Sequence, residues 1–447
     1  MSSVVIVGGG PGGYEAALVA RQLGADVTLV SRDGLGGSAV LTDVVPSKGL
    51  ISMSNVLTRV HENDALGITV AGKVAMADLN RRLKELAITQ SRDIALRLEA
   101  EGVRIIHGDA SIRTSHEIEV NNEVITCDVM LLATGARPRQ MPQAEVDGER
   151  ILTWEQLYDM VDLPEKLIVI GSGVTGAEFA SAYHALGSDV VLVSSRSQVL
   201  PNEDQDAAKV IEEVFIRRGI QVLSNSRAEK VVRTQTGVEV TLTNGDVISG
   251  SHCLLAVGSI PNTEALNLEK LGVKTDTKGF IEVDRVSRTS VRNVYAAGDC
   301  TGVLMLASVA AMQGRIAMWH ALGDAVNPLD LDTVSANVFT DPEIAAVGVT
   351  QKQISSGEIQ ADTVLLPLNT NARAKMQNIT DGFIKLFCLP TNRTIIGGVV
   401  VAPNASELIY PIALAVTKRL TVDDLAATFT IYPSLTGSIA EAARRLH

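Results

Sequence analysis

Two copies of one short pattern constrain this chain more than anything else in it. In the first copy, Val4-Val5-Ile6-Val7 runs straight into Gly8-Gly9-Gly10-Pro11-Gly12-Gly13. A helical stretch then continues to Gly24, and a second apolar run follows from Val27 to Val30. An apolar run closing in G-x-G-x-x-G (Gly8, Gly10, Gly13) and reopening as a helix predicts a strand, turn, helix and strand that bind a dinucleotide. The three glycines serve different physical ends: one allows a tight turn, one lets the backbone approach a pyrophosphate, and one lets the helix pack closely on the strand. The pyrophosphate then lies on the free amides at the helix N-terminus. A carboxylate is expected at the end of the second strand to accept from a ribose, and the chain has Ser31, Arg32 and Asp33 there. Asp33 is the candidate substitute.

The second copy begins at Leu167-Ile168-Val169-Ile170, passes through Gly171, Gly173 and Gly176, and returns as a strand over Asp189 to Val193. Two fingerprints about 160 residues apart predict two nucleotide sites in one chain. The second returning strand ends in Ser194-Ser195-Arg196. No carboxylate is present there for a ribose 2'-hydroxyl, while Ser195 and Arg196 suit a 2'-phosphate, so NADPH is chemically favoured over NADH. The plainer alternative is a solvent-facing Arg196.

A chain of 447 residues exceeds a single core and predicts two to four domains. Its apolar share is 46% with only 3% aromatics, the Val, Ile, Leu and Ala mixture that suits buried parallel strands under helices. A formal charge of -12 without a Lys/Arg run excludes the electrostatic footprint of a nucleic-acid or anionic-membrane binder. Cys127, Cys253, Cys300 and Cys388 have neither metal-ligand spacing nor a C-x-x-C pair, and the seven histidines, His184 included, show no ligand pattern. No metal is expected. The amino terminus reads as a first strand, not a signal peptide, and no apolar run approaches the roughly 18 residues of a membrane span, which places the chain in the cytoplasm by default.

Along nearly its whole length the chain resembles the flavoprotein disulfide reductases, the family of dihydrolipoamide dehydrogenase and glutathione reductase. The landmarks come in family order: Gly36-Gly37-Ser38, Val45-Pro46-Ser47-Lys48, Gly108-Asp109-Ala110, Ala133-Thr134-Gly135, the second fingerprint, and Ala256-Val257-Gly258-Ser259-Ile260-Pro261-Asn262. Tyr295-Ala296-Ala297-Gly298-Asp299, Val338-Phe339-Thr340-Asp341-Pro342-Glu343 and Ile395-Ile396-Gly397-Gly398 complete the series. The resemblance implies FAD as the first nucleotide, NAD(P)H as the second, and a homodimer. It implies that Gly37 and Ser38 line the FAD site, that Gly108 and Ala110 meet adenine, and that Thr134 and Gly135 close the first FAD segment. It further implies that Asp299 accepts from the ribityl chain, that Leu306, Ala307 and Ser308 lie against the flavin, and that Gly258 lines the nicotinamide side. Lys48 would sit near flavin N5 and pair with Glu178, an ammonium placed to stabilise the negative charge of reduced flavin. Without those landmarks, Lys48 reads as a surface lysine after a Pro-Ser turn.

The departures are as informative. The family's redox pair belongs at positions that here carry Ala39 and Val44, and neither side chain can act as the thiolate that disulfide exchange needs. The family's C-terminal His-Pro-x-x-x-Glu appears as Tyr432-Pro433-Ser434-Leu435-Thr436-Gly437, without the acid-base His or its Glu. Lipoamide or glutathione chemistry is therefore not expected. Hydride transfer from nicotinamide to flavin needs only stacking and positioning, and an apolar wall at Ala39 and Val44 suits a flat conjugated acceptor such as a quinone. The chain is similar to the actinobacterial lipoamide-dehydrogenase-like NAD(P)H:quinone reductases in Ile151-Leu152-Thr153-Trp154, Thr370-Asn371-Ala372-Arg373-Ala374-Lys375-Met376 and Tyr432-Pro433-Ser434-Leu435. That similarity implies a quinone acceptor, with Tyr432 of the partner subunit as a candidate donor to its carbonyl or, alternatively, a core-filling tyrosine. A flavoenzyme with another small acceptor and a non-catalytic paralogue are the other readings. The expected architecture is α/β: two Rossmann-like dinucleotide-binding domains and a C-terminal α+β dimerisation domain. FAD segments fall at 1–150 and 265–330, the NAD(P)H domain at 151–264 and the interface domain at 331–447.

Overall fold

The computed structural model describes residues 1–62, 67 and 72–447 of the chain. Both fingerprints form the predicted unit. Ser3–Val7 leads through helix α1 (Pro11–Gln22) to Asp26–Ser31, and Lys166–Ile170 leads through a second helix, Val174–Leu186, to Asp189–Val193. In each pair the strands run parallel in simple register, Val4 beside Val27 and Leu167 beside Val190. Val4 to Val7 and Leu167 to Ile170 are buried throughout, as the unbroken aliphatic runs require when helices cover both faces of a sheet.

Each pair grows into a five-stranded parallel sheet. The first has the order Val294–Ala296, Val129–Leu132, Ser3–Val7, Asp26–Ser31, Arg104–His107. The second has Gln221–Leu223, Asp189–Val193, Lys166–Ile170, His252–Leu255, Ile151–Leu152. Each sheet also carries a three-stranded antiparallel flap, over residues 111–126 in the first and 228–250 in the second. The duplication seen in the glycines thus extends to the whole architecture. A two-stranded ribbon, Ala136–Pro138 against Ser259–Pro261, joins the two units where the chain crosses between them.

The strand Val294–Ala296 brings the chain back beside the first fingerprint, and the following helix, Ala307–Ala321, lies directly on α1. The approach is so close that a Cβ at Gly314 would stand 2.0 Å from the carbonyl oxygen of Gly12. The third unit is a five-stranded antiparallel sheet, ordered Ser335–Val338, Glu343–Gly348, Ile395–Ala402, Phe383–Cys388, Asp362–Pro367, with helices over it. Lys385, 1% exposed in the middle of that sheet, donates to Asp204 at 2.8 Å and Asp206 at 2.6 Å. Asp204 is also the N-cap of the helix Gln205–Arg218 in the second unit, so one buried ammonium joins two units.

The alternative reading of Lys48 as a surface residue after a turn does not hold. Pro46-Ser47-Lys48 is not a turn but lies near the start of helix α2 (Val44–Glu62), preceded by the short helix Gly37–Leu41. Pro46 is tolerated because it stands in the first turn, where backbone N–H groups have no intrahelical partner to lose.

Candidate active site

At the carboxyl ends of the first parallel sheet, where Val7, Ser31, Ala133 and Ala297 end their runs, lies a cavity of about 880 Å³. This is where open α/β sheets place their ligands. Gly8 and Gly10 line it, whereas Gly13 does not: a Cβ there would stand 1.9 Å from the Gly8 carbonyl oxygen, so Gly13 is the packing glycine. Gly10 has nothing within 4 Å of a built Cβ and caps α1 with no side chain, so the turn before the helix presents bare backbone to the cavity.

One end of the cavity is polar and exposed. Arg32 pairs with Asp33 at 3.0 Å and with Asp109 at 3.6 Å, so the Asp33 carboxylate already has a partner. Ser31, also on the cavity wall, is mostly buried, and its hydroxyl donates to the Gly34 carbonyl at 2.7 Å. Gly108, Asp109 and Ala110 line the same cavity, as do Thr134 and Gly135. The Thr134 hydroxyl is buried without a hydrogen-bond partner, an orphan that a ligand in the cavity could satisfy.

The cavity is also lined by Gly37, Ser38, Ala39, Leu41, Thr42, Asp43, Val44, Asp299, Met305, Ala307 and Ala310. Ala307 is on the cavity wall, while Leu306 precedes the helix as its N-cap and neither it nor Ser308 lines the cavity. The wall expected to be apolar at Ala39 and Val44 is interrupted by Asp43. Burial, then Asp43, push Asp299 up to about 6, and burial, opposed by Lys48, raises Asp43 as well. Glu155, also on the wall, is raised first by burial and then by Asp43. Carboxyls gathered in a half-buried groove bind protons more tightly than they would in water, because burial and their mutual repulsion disfavour the charged form.

Lys48 does not line the cavity. Its Nζ donates to Glu178 Oε2 at 2.6 Å, and Glu178 Oε1 accepts from the Phe339 backbone N–H at 2.8 Å. The Phe339 ring lies 5.0 Å from the ammonium. Glu178, 3% exposed, therefore fastens α2 of the first unit and the first strand turn of the third unit to its own helix in the second.

The second fingerprint repeats the first. A Cβ at Gly176 would stand 1.8 Å from the Gly171 carbonyl oxygen, while Gly173 is open; Gly171 and Gly258 both have positive φ, 110° and 94°. Ser194 is fully buried, its hydroxyl 2.7 Å from that of Ser172 and accepting from the Arg196 amide at 3.1 Å. Ser195 and Arg196 are exposed beyond it, free to face a ligand. Tyr432 is 85% exposed and away from the cavity of its own chain, next to Phe429 at 101% and Ile431 at 81%.

Sequence reasoning missed several groups. Asp43, Glu155, Arg137 and Asn262 line the cavity, and Phe339 and Lys385 hold the units together. Asp43 carried a signal, a charge inside the segment between the two expected cysteine positions. The Phe339 bond to Glu178 carried none, because it is made by the backbone N–H. All four cysteines are buried free thiols. Among the described residues no helix is long and apolar enough to cross a membrane.

The sequence matches the family described as "Pyridine nucleotide-disulphide oxidoreductase" over residues 2–314, and that family's dimerisation domain over residues 334–443. It is 52% identical over 463 aligned residues to the NAD(P)H dehydrogenase (quinone) of Mycobacterium tuberculosis, covering 100% of this chain and 94% of that protein. It is 32% identical over 450 residues to the dihydrolipoyl dehydrogenase of Geobacillus stearothermophilus, covering 99% of this chain and 95% of that one. The crystal structure of LpdA from Mycobacterium tuberculosis superimposes with a TM-score of 0.96 at 52% identity, with all of both chains covered. The flavoprotein disulfide reductase RclA from Escherichia coli shares the fold, with a TM-score of 0.89 at 24% identity over 100% of both chains.

Proposed function

This chain belongs to the pyridine nucleotide-disulphide oxidoreductase family, and we propose that within it the protein is an FAD-dependent NAD(P)H:quinone oxidoreductase that works without a redox disulfide. The observation that carries the reading is the cavity wall at Ala39 and Val44, which offers an acceptor room and no thiol. The name of the Mycobacterium tuberculosis relative, 52% identical along the whole chain, supports quinone as that acceptor.

FAD suits the groups that line the cavity. The side-chain-free turn at Gly8 to Gly12 would hold its pyrophosphate, and Gly108 to Ala110 with Arg32 and Asp33 would meet the adenosine. The orphan Thr134 hydroxyl and the unpaired Asp299 carboxyl would find partners in a polyhydroxylated chain, and Met305 and Ala307 give a flat ring system apolar contact. When bound, FAD supplies two-electron chemistry between a reduced nicotinamide and an acceptor. Lys48 places a positive charge at this junction, and Glu178 fixes its direction by taking one of its three donors. Exposed Ser195 and Arg196, with Ser194 turned inward and saturated, favour a 2'-phosphate and therefore NADPH, with NADH as the weaker donor.

The dimerisation domain supports a homodimer, in which exposed Tyr432, Phe429 and Ile431 would be covered by the second copy and Tyr432 would donate to a quinone carbonyl in the partner's site. The unit divisions near residues 150, 264 and 330 belong to the same proposal. The test is steady-state NADPH oxidation by the purified protein with menadione, with lipoamide and with oxidised glutathione. Turnover with menadione alone is expected, and brisk turnover of either disulfide refutes the reading. Loss of menadione turnover in Tyr432→Phe would support the tyrosine's role.

A further inference from the structure

Asp43 lies between Ala39 and Val44, and hydride transfer from nicotinamide to flavin has no use for it. Its backbone is pinned on both sides: its N–H donates to the Ser38 carbonyl at 2.8 Å, and its own carbonyl accepts from the Ser47 amide at 2.8 Å. The residue lines the cavity together with Ala39, Val44 and Asp299. The nearby cation, Lys48, donates to Glu178 at 2.6 Å, and its pull on the Asp43 carboxyl is outweighed by burial. The other titratable groups near Asp43 are Glu155, Tyr158, Glu178 and Asp299, all of which carry or can acquire only negative charge. A carboxyl held in this place has its proton affinity raised by burial and stands on the same cavity wall as Ala39 and Val44.

A quinone that receives a hydride gains two electrons and one proton and leaves an oxyanion that needs a second proton. Resting on the quinone reading above, we propose that Asp43 is the acid that gives this second proton to the acceptor bound against Ala39 and Val44. The O–H bond of the Asp43 carboxyl breaks as the new O–H bond of the hydroquinone forms. Its electron pair stays on the carboxylate, and solvent returns the proton before the next turnover. Burial raises the Asp43 carboxyl from the ordinary carboxylate value, which is the direction a proton donor near neutral pH requires.

The test uses the FAD-loaded enzyme, with Asp43→Asn, which keeps the shape and removes the proton, and Asp43→Glu, which restores an acid. Menadione needs the proton and ferricyanide, a one-electron acceptor, does not, so the ratio of the two NADPH-dependent turnovers isolates the step. The ratio should fall on the order of 100-fold in Asp43→Asn and recover in Asp43→Glu. In the wild type it should decline as pH rises through the Asp43 titration, a limb that Asp43→Asn lacks. Independently of activity, in protein carrying 13C at its aspartate carboxyls, the resonance missing from Asp43→Asn should titrate above the ordinary value near about 4. An unchanged ratio in Asp43→Asn, or titration of that resonance at the ordinary value, overturns the role of Asp43. A wild-type enzyme active with ferricyanide and inert with every quinone overturns the quinone reading instead.

Discussion

Replacing Asp299 by Asn should make the flavin-free chain more stable, and the size of the effect follows from the cavity. Burial and the neighbouring Asp43 lift the Asp299 carboxyl from 3.8 to about 6. A folded-state value raised above the unfolded one means that the group's contribution to stability is complete below about 4 and is lost as pH rises through about 6. At about 1.4 kcal/mol per pH unit, the gap amounts to roughly 3 kcal/mol of destabilisation at pH 8, absent at pH 3.5. Asn fills the same space without a charge to desolvate. The assay is the urea midpoint of FAD-free protein between pH 4 and 8, wild type against Asp299→Asn, with the difference opening between pH 4 and 6 in favour of the variant. FAD should narrow or cancel the difference, because the carboxylate's hydrogen bond to a ligand hydroxyl is worth about 1.5–3 kcal/mol and its loss weakens FAD binding by about 10- to 150-fold. A flavin-free variant no more stable than wild type at pH 8 would refute the claim that this carboxyl is held unpaired for a ligand.

Two further outcomes follow from the junction and the second fingerprint. Glu178→Ala removes the acceptor of the Phe339 amide and should accelerate hydrogen exchange at that amide by about 10-fold or more, read by mass spectrometry, while Glu178→Gln changes it less. Arg196→Ala should raise the KM for NADPH by about 10- to 100-fold and leave that for NADH within a factor of two or so, since only the phosphorylated ribose presents a dianion to the guanidinium.

Much of the fold was legible because it depends on pattern. The two aliphatic runs closed by glycine turns could become only parallel strands under a helix, and Gly13 and Gly176 stand 1.9 Å and 1.8 Å from a carbonyl oxygen if given a Cβ. The pairing of Lys48 with Glu178 across 130 positions followed from the family resemblance, and the structure places them 2.6 Å apart. The polar interior of the site was less legible. Nothing near Lys385 in the apolar strand Phe383–Cys388 points to Asp204 and Asp206, which arrive from another unit. Asp33 looked available until Arg32, its immediate neighbour, turned back on it. The Lys385 contacts are set by the way separate units dock, and no local period encodes them.

Whether electrons reach the acceptor without passing through sulfur can be counted. In an anaerobic reductive titration of the FAD-loaded protein, the flavin band should bleach completely after one two-electron equivalent per FAD, with no further uptake, since the buried thiols at 127, 253, 300 and 388 are already reduced. Uptake of a second two-electron equivalent per FAD would reveal a redox-active disulfide and contradict the account.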